Sequence, residues 1–327
     1  MRIALINSGI GLLAAAAELH RLRPDADLVL AMDPDGMPWG PRTPGDITQR
    51  SLACARAAAA FGPDVLVFAC NTGTVHALPA LRAEFEPALP VVGTVPAIKP
   101  AAAFCDSVAI WATVATTAST YQRRLIDDFA GSARVTPVPC PGLADAVDAG
   151  DETAARAAVA GAAARTPADC GAVVLGCTEY ELAAGLIADA LPGVTLFRSA
   201  AAVAAQALRR AAADGADSGP EAAPSRPGTV RVLLSGRQAG LPQAALRYAE
   251  GRLLADLVAD RPADGPSAED FLAEDFPADG PPAEDFLADD LPADGRADEP
   301  RADEPRADEP RAGREAERSV PPSSVPA

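Results

Sequence analysis

The chain has 327 residues, 49% of them apolar and only 4% aromatic, and at roughly 150 residues per domain it is long enough for about two domains. Its net charge of −17 is uneven, because 20 acidic residues and 7 arginines lie from residue 257 onward. This acidity argues against a nucleic-acid partner, and it characterises the last part of the chain rather than the part before it.

The sequence predicts a cytoplasmic protein without a membrane segment, a metal or a cofactor. Its first apolar run is too short for a secretory signal, and no run reaches the roughly 18 apolar residues of a membrane helix. Six cysteines lie far apart without a CxxC pair, and the two histidines join no cluster with metal-ligand spacing. The run Ser8-Gly9-Ile10-Gly11 lacks the third glycine and the acidic residue of a dinucleotide-binding fingerprint.

Short apolar runs alternate with longer stretches of helical period. Strands are predicted at 2–6, 27–32, 64–69, 90–93, 107–112, 133–138, 171–175, 194–197 and 230–234. Helices are predicted at 11–22, 45–60, 74–86, 117–129, 151–165, 179–190, 199–212 and 241–255. Several strands, such as 65–69, are apolar on both faces, which is typical of a parallel sheet covered by helices on both sides. The alternation predicts an α/β fold built from right-handed crossover units.

Two segments interrupt or follow this pattern. Residues 212–229 are rich in Asp, Gly, Ser, Pro and Ala and predict a flexible insertion. Residues 257–327 contain AEDF repeats and three consecutive copies of Ala-Asp-Glu-Pro-Arg at 297–311. Such a composition buries too little apolar surface to offset the entropy of ordering, so it predicts a disordered acidic tail.

Four polar clusters follow predicted strands, at the sheet edge where open α/β folds bind ligands. They are Asn7 to Gly11, Ala69 to Gly73, Thr113 to Tyr121, and Gly176 to Glu179. Turn and capping residues are the simpler interpretation of any one cluster. That interpretation leaves unexplained why two clusters place a cysteine, Cys70 or Cys177, at the end of the strand.

A cysteine at that position has a helix N-terminus beside it. The helix dipole and free N–H groups favour the thiolate and are expected to lower a pKa of about 8.5 toward neutrality. If Cys70 and Cys177 face each other, one thiolate can take a proton from a carbon acid while the other thiol returns one to the opposite face. Such a pair would invert a stereocentre without a cofactor. Spacing alone leaves this hypothesis open against two buried structural cysteines.

The motifs together resemble bacterial glutamate racemase, a member of the aspartate/glutamate racemase superfamily. In the family's order and spacing the chain carries INSGIG, MPWGPR at 37–42, ACNTG, PVVGTV at 90–95, the Thr113, Thr116, Thr120, Tyr121 stretch, Cys140-Pro141 and LGCTEY. The resemblance runs from residue 3 to about 199, and the strand and helix after 229 look like the family's last ones.

The resemblance implies two pseudo-symmetric, doubly wound domains with mainly parallel sheets, formed by 1–97 with 207–256 and by 98–206, with the substrate between them. It implies Cys70 and Cys177 as the acid/base pair and no cofactor or metal. It assigns the α-carboxylate and ammonium of the substrate to Ser8, Asn71, Thr72 and Thr178, and its side-chain carboxylate to Trp39, Gly40, Thr113 and Thr116. The partner implied is a small acidic amino acid, a homodimer is possible, and the product D-glutamate serves peptidoglycan.

Two departures from the family pattern concern the groups that assist the thiols. The family usually has Asp-Ser-Gly where this chain has Asn7, and Gly-Cys-Thr-His-Tyr-Pro where it has Glu179 and Glu181. Asn7 can form hydrogen bonds but cannot ionise, whereas Glu179 can ionise and could serve Cys177 as the histidine would. We therefore expect Asn7 and Glu179 to assist catalysis, with glutamate as the first substrate. The alternatives are aspartate or another amino acid, and a degenerate non-catalytic binding protein.

Overall fold

A computed structural model describes residues 1–213 and 226–259 of the chain, and its strands within these ranges lie in two sheets. The strands are β1 (Arg2–Asn7), β2 (Asp27–Met32), β3 (Val65–Phe68), β4 (Val91–Val92), β5 (Ser107–Ala112), β6 (Arg134–Pro139), β7 (Ala172–Leu175), β8 (Thr195–Phe197), β9 (Val230–Leu234) and β10 (Arg237–Ala239). The first sheet has the order β10-β9-β2-β1-β3-β4, and the second has the order β6-β5-β7-β8.

The two sheets share one topology. In each, the first strand of the group lies between the second and the third, so β2-β1-β3-β4 matches β6-β5-β7-β8. All pairings are parallel except that of β10 with β9. Each sheet therefore has a switch point, next to β1 and next to β5, where crossovers leave in opposite directions and a crevice opens at the carboxyl ends. The predicted pseudo-symmetric α/β fold is confirmed.

The described helices connect these strands. They are α1 (Leu12–Leu22), α2 (Pro44–Ala59), α3 (Asn71–Phe85), α4 (Ile98–Phe104), α5 (Val114–Ala118), α6 (Thr120–Phe129), α7 (Leu143–Ala149), α8 (Glu152–Ala163), α9 (Thr178–Leu182), α10 (Ala184–Ala190), α11 (Ala200–Ala213) and α12 (Ala249–Ala255), with a 3-10 helix at Ala245–Arg247. Several begin at side-chain caps, such as Thr43 before α2 and Asp151 before α8.

Successive side chains of β1 point to opposite faces of the first sheet and so belong to two separate apolar clusters. Ile3 and Leu5 point into a cluster that includes α1 and α11 and continues to Trp111 and Leu175 of the second sheet. Their neighbours in sequence, such as Ile6, face a separate cluster beneath α2 and α3. Because successive strand residues point to opposite faces, one apolar strand supplies both layers. The two sheets are thus joined by continuous apolar packing.

All nine predicted strands are present, and most predicted helices are as well, with changed boundaries. The structure adds the antiparallel β10 and the short helices α4 and α7. It divides 117–129 into α5 and α6, and 179–190 into α9 and α10. The single helix predicted at 241–255 is wrong, because Tyr248 is extended (φ −99°, ψ 150°) and separates the 3-10 helix from α12.

The predicted insertion and the predicted tail each include residues that the structure shows to be part of the fold. Residues 212 and 213 complete α11, while Arg226 and Thr229 both donate hydrogen bonds to the carboxylate of Asp27 at the start of β2. Val258 forms a parallel bridge with Val230, so the fold continues through residue 259. The remaining predicted insertion, 214–225, and the remaining tail, 260–327, lie outside the described residues.

The predicted division into two domains stays a prediction. The described residues belong to one compact unit, and the boundary predicted at 206/207 falls inside α11. That helix follows β8 of the second sheet but packs against α1, β3 and β4 of the first. Among the described residues, no helix is long and apolar enough to cross a membrane.

Candidate active site

The two predicted cysteines occupy equivalent positions in the two sheets. Cys70 follows β3 and is the N-cap of α3, and Cys177 follows β7 and is the N-cap of α9. Their backbones are nearly identical, with φ/ψ of −144°/119° and −142°/135°. Helix α3 begins at Asn71, three residues before the predicted start, because the Cys70 sulfur accepts the Gly73 N–H at 3.3 Å. The expected placement of each thiol at a helix N-terminus is correct.

The expected lowering of the Cys70 pKa is wrong. Cys70 is only 5% exposed. Burial, and after it the negative charge of Glu179, raise the pKa of Cys70 to about 12, while hydrogen bonds from Gly73 and Ser8 lower it by less. A helix N-terminus contributes up to about 2 kcal/mol, whereas burial shifts a pKa by as much as three to five units. The free protein therefore holds Cys70 as a neutral thiol.

Cys177 is paired with a carboxylate in the same turn of helix. Its sulfur donates to Oε2 of Glu179 at 2.8 Å, and both side chains are buried. Burial first, then the charge of Glu179 and this hydrogen bond, raise the pKa of Cys177 well above its ordinary value. Charge on Cys70 also raises the pKa of Cys177, so the two thiols lie close enough to interact. Glu179 raises the pKa of both thiols, so the structure brings both sulfurs and Glu179 near one another at the carboxyl ends of β3 and β7.

Asn7 links the end of β1 to Glu179. Its Nδ2 donates to Oε1 of Glu179 at 3.2 Å and to the Thr178 hydroxyl at 3.3 Å, while its Oδ1 accepts the Ser8 N–H at 2.7 Å. The amide orientation follows from chemistry, because a carboxylate can only accept and a backbone N–H can only donate. The two residues that depart from the family pattern are therefore in direct contact.

A group of three hydroxyls closes another side of the same region. Thr72 of α3 lies 3.3 Å from Thr116 of α5, oxygen to oxygen, and Thr113 donates to the Thr116 hydroxyl at 3.0 Å. Thr113 also caps α5 by accepting the Thr116 N–H. This contact joins elements of the two sheets, as Asn7 and Glu179 do, and it offers hydroxyl donors to an anion.

Asn71, the residue after Cys70, has a buried amide without a hydrogen-bond partner. It is only 3% exposed, and neither its amide nitrogen nor its amide oxygen has a hydrogen-bond partner. Leaving a buried amide unpaired costs about 1–3 kcal/mol, so such a group points to a ligand that pairs with it. A group with both donor and acceptor atoms, such as an amino acid's ammonium and carboxylate, satisfies both ends.

Trp39 lies differently from a ligand-facing side chain. It is buried, its Nε1 donates to Asp33 at 3.0 Å, and its ring packs edge-on against Phe68. The indole N–H is therefore committed to Asp33. Gly40, by contrast, borders open space, because an added Cβ would meet nothing within 4 Å. A ligand beside Gly40 would therefore contact the backbone of Gly40 and not the indole N–H of Trp39.

The other singled-out residues have structural partners. Glu181 accepts from the Ser199 N–H and hydroxyl and from the Ala200 N–H, so it caps α11 and lies apart from the thiols. Cys140 is buried and donates to the Val138 carbonyl. His76, one of the two histidines, lies on α3, and burial lowers its pKa. No group of three or more His, Cys, Asp or Glu side chains that could hold a metal occurs within the described ranges.

Sequence reasoning missed Asp148, at the end of α7. Its Oδ1 accepts the Ile10 N–H at 2.8 Å, in the loop that follows β1. Burial first and the charge of Glu179 second raise the pKa of Asp148 well above its ordinary value. Nothing in the local sequence, which reads as a helix end before Gly150, marks this carboxyl.

Comparison with known proteins agrees with this geometry. The family described as Asp/Glu/Hydantoin racemase matches residues 6–207. A glutamate racemase of Pseudomonas entomophila is 39% identical over 213 residues, covering 63% of this chain and 80% of that protein. One of Herpetosiphon aurantiacus is 37% identical over 217 residues, covering 64% and 85%. The crystal structure of Escherichia coli glutamate racemase with L-glutamate and the activator UDP-MurNAc-Ala superimposes with a TM-score of 0.64 at 27% identity, covering 75% of this chain and 91% of that one.

Proposed function

The chain belongs to the Asp/Glu/Hydantoin racemase family, and from this premise we propose that it interconverts L- and D-glutamate without a cofactor, using Cys70 and Cys177 as two bases. The observation that carries the proposal is the pair of cysteines at equivalent helix N-caps of the two sheets, close enough for their charges to interact. A racemase needs one base on each face of the reacting carbon, and this pair supplies one from each sheet.

Glu179 supplies the proton acceptor that a buried thiol needs. A carboxylate and a thiolate 2.8 Å apart cannot both be charged in a buried site, so the pair holds one proton. Cys177 becomes a thiolate by passing its proton to Glu179. The ammonium group of a bound amino acid favours this charge, because it places a positive group beside the Cys177 thiolate.

The proton balance of one turnover follows. The Cys177 thiolate removes the α-proton of glutamate, and the electron pair left behind delocalises into the α-carboxylate. The Cys70 thiol protonates the opposite face, which inverts the carbon and leaves Cys70 as a thiolate. Hydrogen bonds from Ser8 and Gly73 then stabilise the Cys70 thiolate. The reverse reaction starts from that state, and proton transfer from Glu179 through the emptied pocket resets the enzyme.

Recognition of the substrate is assigned to the polar groups around the thiols. The unpartnered amide of Asn71, with Ser8, Thr72 and Thr178, would bind the α-carboxylate and ammonium. The hydroxyls of Thr113 and Thr116, with the backbone at Gly40, would bind the side-chain carboxylate. We further propose that the D-glutamate formed serves peptidoglycan synthesis. The predicted homodimer stays a prediction.

The test is racemisation in D₂O with L-glutamate and, separately, L-aspartate, following optical rotation and α-deuterium by NMR. We expect inversion with deuterium incorporation, faster for glutamate. Cys70→Ala and Cys177→Ala should each abolish inversion, while the matched control Cys105→Ala, which removes a half-buried thiol outside the pocket, should retain it. Full activity in either pocket variant would refute the two-base assignment. Absence of both signals with both amino acids would favour the non-catalytic alternative.

A further inference from the structure

A half-buried carboxyl group outside the proposed machinery, that of Asp148, contacts the loop that carries Ser8. We propose that Asp148 is a positioning residue of the active site: its carboxyl group holds the loop 8–11 against the second sheet and so sets Ser8 beside Cys70. The inference rests on the proposed function, because Ser8 matters only if Cys70 is a working base. It adds a residue that neither the motifs nor the thiol chemistry assigns.

Two independent contacts carry the inference. The Ile10 N–H donates to Oδ1 of Asp148 at 2.8 Å, across the junction between the β1 side and α7. The same carboxyl lies directly against the Cα of Gly9, where an added Cβ would come within 2.2 Å of Oδ1 and 2.6 Å of Oδ2. Real Cβ atoms essentially never approach so closely. The φ of Gly9 is not positive, so this close approach, rather than backbone conformation, is what requires glycine.

The loop is held on both flanks by carboxyl groups of the second sheet. Glu179 and Thr178 lie against Gly11, where an added Cβ would come within 2.5 Å of each side chain. Asp148 does the same at Gly9. Ser8, the residue next to Gly9, donates its N–H at 2.7 Å and its hydroxyl at 3.3 Å to Oδ1 of Asn7, and interactions with the same two groups lower the pKa of Cys70. A shift of the loop would therefore move the donors that stabilise the Cys70 thiolate.

The chemistry of Asp148 suits a holding role rather than proton transfer. Burial and the nearby charge of Glu179 raise the pKa of Asp148 well above the ordinary carboxyl range. A neutral carboxyl still accepts the Ile10 N–H through its carbonyl oxygen, and it adds no second negative charge beside Glu179. Asparagine reproduces that shape and that acceptor, which makes Asp148→Asn the conservative replacement.

The first experiment compares single variants in the racemisation assay. Asp148→Ala should raise the KM for glutamate about tenfold with a smaller fall in kcat, the size expected for losing one positioning hydrogen bond. Asp148→Asn should stay within about threefold of the wild type in both constants. Asp145→Ala, which removes an exposed carboxyl from the same helix, is the matched control and should match the wild type. If Asp148→Ala does not fold, Asp148→Ser, too short to reach Ile10, replaces it.

The second experiment tests the contact itself. Gly9→Ala forces a methyl group into the carboxyl, so we expect kcat/KM to fall about 100-fold or more. In the double variant Gly9→Ala/Asp148→Ala the methyl group occupies the space that the carboxyl leaves, so its kcat/KM should exceed that of Gly9→Ala alone. Two unrelated structural defects would instead add. The same cycle measured by thermal unfolding reports the contact without any activity.

The outcomes separate this inference from the proposed function. If the wild type racemises glutamate and Cys70→Ala does not, but Asp148→Ala keeps the wild-type KM, the inference is overturned and the function stands. Additive losses in the Gly9 and Asp148 cycle, in kinetics or in unfolding, also overturn it. A wild type inactive on glutamate overturns the function, and the unfolding cycle then decides whether Asp148 holds the loop.

Discussion

Replacing Glu179 by glutamine should separate two effects of its carboxylate. One is acceptance of the Cys177 proton, and the other is the rise in the pKa of both thiols that its negative charge causes. Glutamine keeps the size of Glu179 and an oxygen to accept the Asn7 amide, but it cannot take the proton of Cys177. At the observed 2.8 Å, a thiolate and a carboxylate repel by about 6 kcal/mol at an effective dielectric constant of 20. Under the proposed mechanism, therefore, Cys177 of the wild type ionises by giving its proton to Glu179.

We expect racemisation by Glu179→Gln to fall about 100- to 10,000-fold, the usual range for loss of a positioned general base. L- and D-glutamate have equal free energies, so kcat/KM must fall by the same factor in both directions. The assay is circular dichroism of each pure enantiomer over time. Unequal falls in kcat/KM would expose an error in the assay, and unchanged turnover would refute the role given to Glu179.

The same variant should make the resting thiols more reactive. Removing the negative charge lowers the pKa of both Cys70 and Cys177, and each unit gives about tenfold more thiolate. We expect iodoacetamide at pH 8 to alkylate both at least about tenfold faster, measured by peptide mass spectrometry. Cys54 and Cys140, whose pKa values Glu179 does not shift, are internal references. Slower or equal alkylation of the pocket thiols would show that Glu179 does not govern their ionisation.

Three further changes have directions that the structure fixes. Asn71→Leu should raise the melting temperature by relieving an unpaired buried amide worth about 1–3 kcal/mol, and raise the KM for glutamate; a lower melting temperature would contradict the unpartnered amide. Glu181→Ala should cost about 3 kcal/mol of unfolding free energy in urea, because donors at the start of α11 lose their acceptor, while the KM of the folded protein stays the same. Asp148 has its pKa raised on folding, so the wild type loses stability as pH rises from about 4 through the raised pKa. Asp148→Asn should lack that loss in melts across pH, and parallel curves would refute the shift.

The sequence predicted the strands well because the buried strands consist almost entirely of apolar residues. Val65–Phe68 and Ala172–Leu175 are apolar throughout and lie buried on both faces, so periodicity alone identifies them. Strand β10 carries Arg237–Ala239 and shows no such pattern. It forms because Ser235 and Gly236 both have positive φ (47° and 77°), the hairpin turn that matches strand twist. The Ser235-Gly236 pair was therefore the sequence feature from which the hairpin to β10 could have been predicted.

The positions of the two cysteines at helix N-termini were predictable from the sequence, and their electrostatics were not. Cysteines after strands mark helix N-termini from the sequence, and the Cys177–Glu179 pair follows from their position in one turn. Whether a helix N-terminus lowers the pKa of a thiol depends on burial and on charges that arrive from the other sheet, and neither is local. Asp148 reaches the loop after β1 across more than a hundred residues of sequence, so only the folded chain reveals it.

The hydrogen bond between Asn7 and Glu179 limits which residues can occupy positions 7 and 179 together. An aspartate at position 7, which the resembling enzymes usually have, would place a second carboxylate about 3.2 Å from Glu179, a repulsion of about 5 kcal/mol at an effective dielectric constant of 20. One proton shared between those two carboxyls would compete with the proton of Cys177. The amide at position 7 avoids this competition, because it donates to Glu179 and carries no charge.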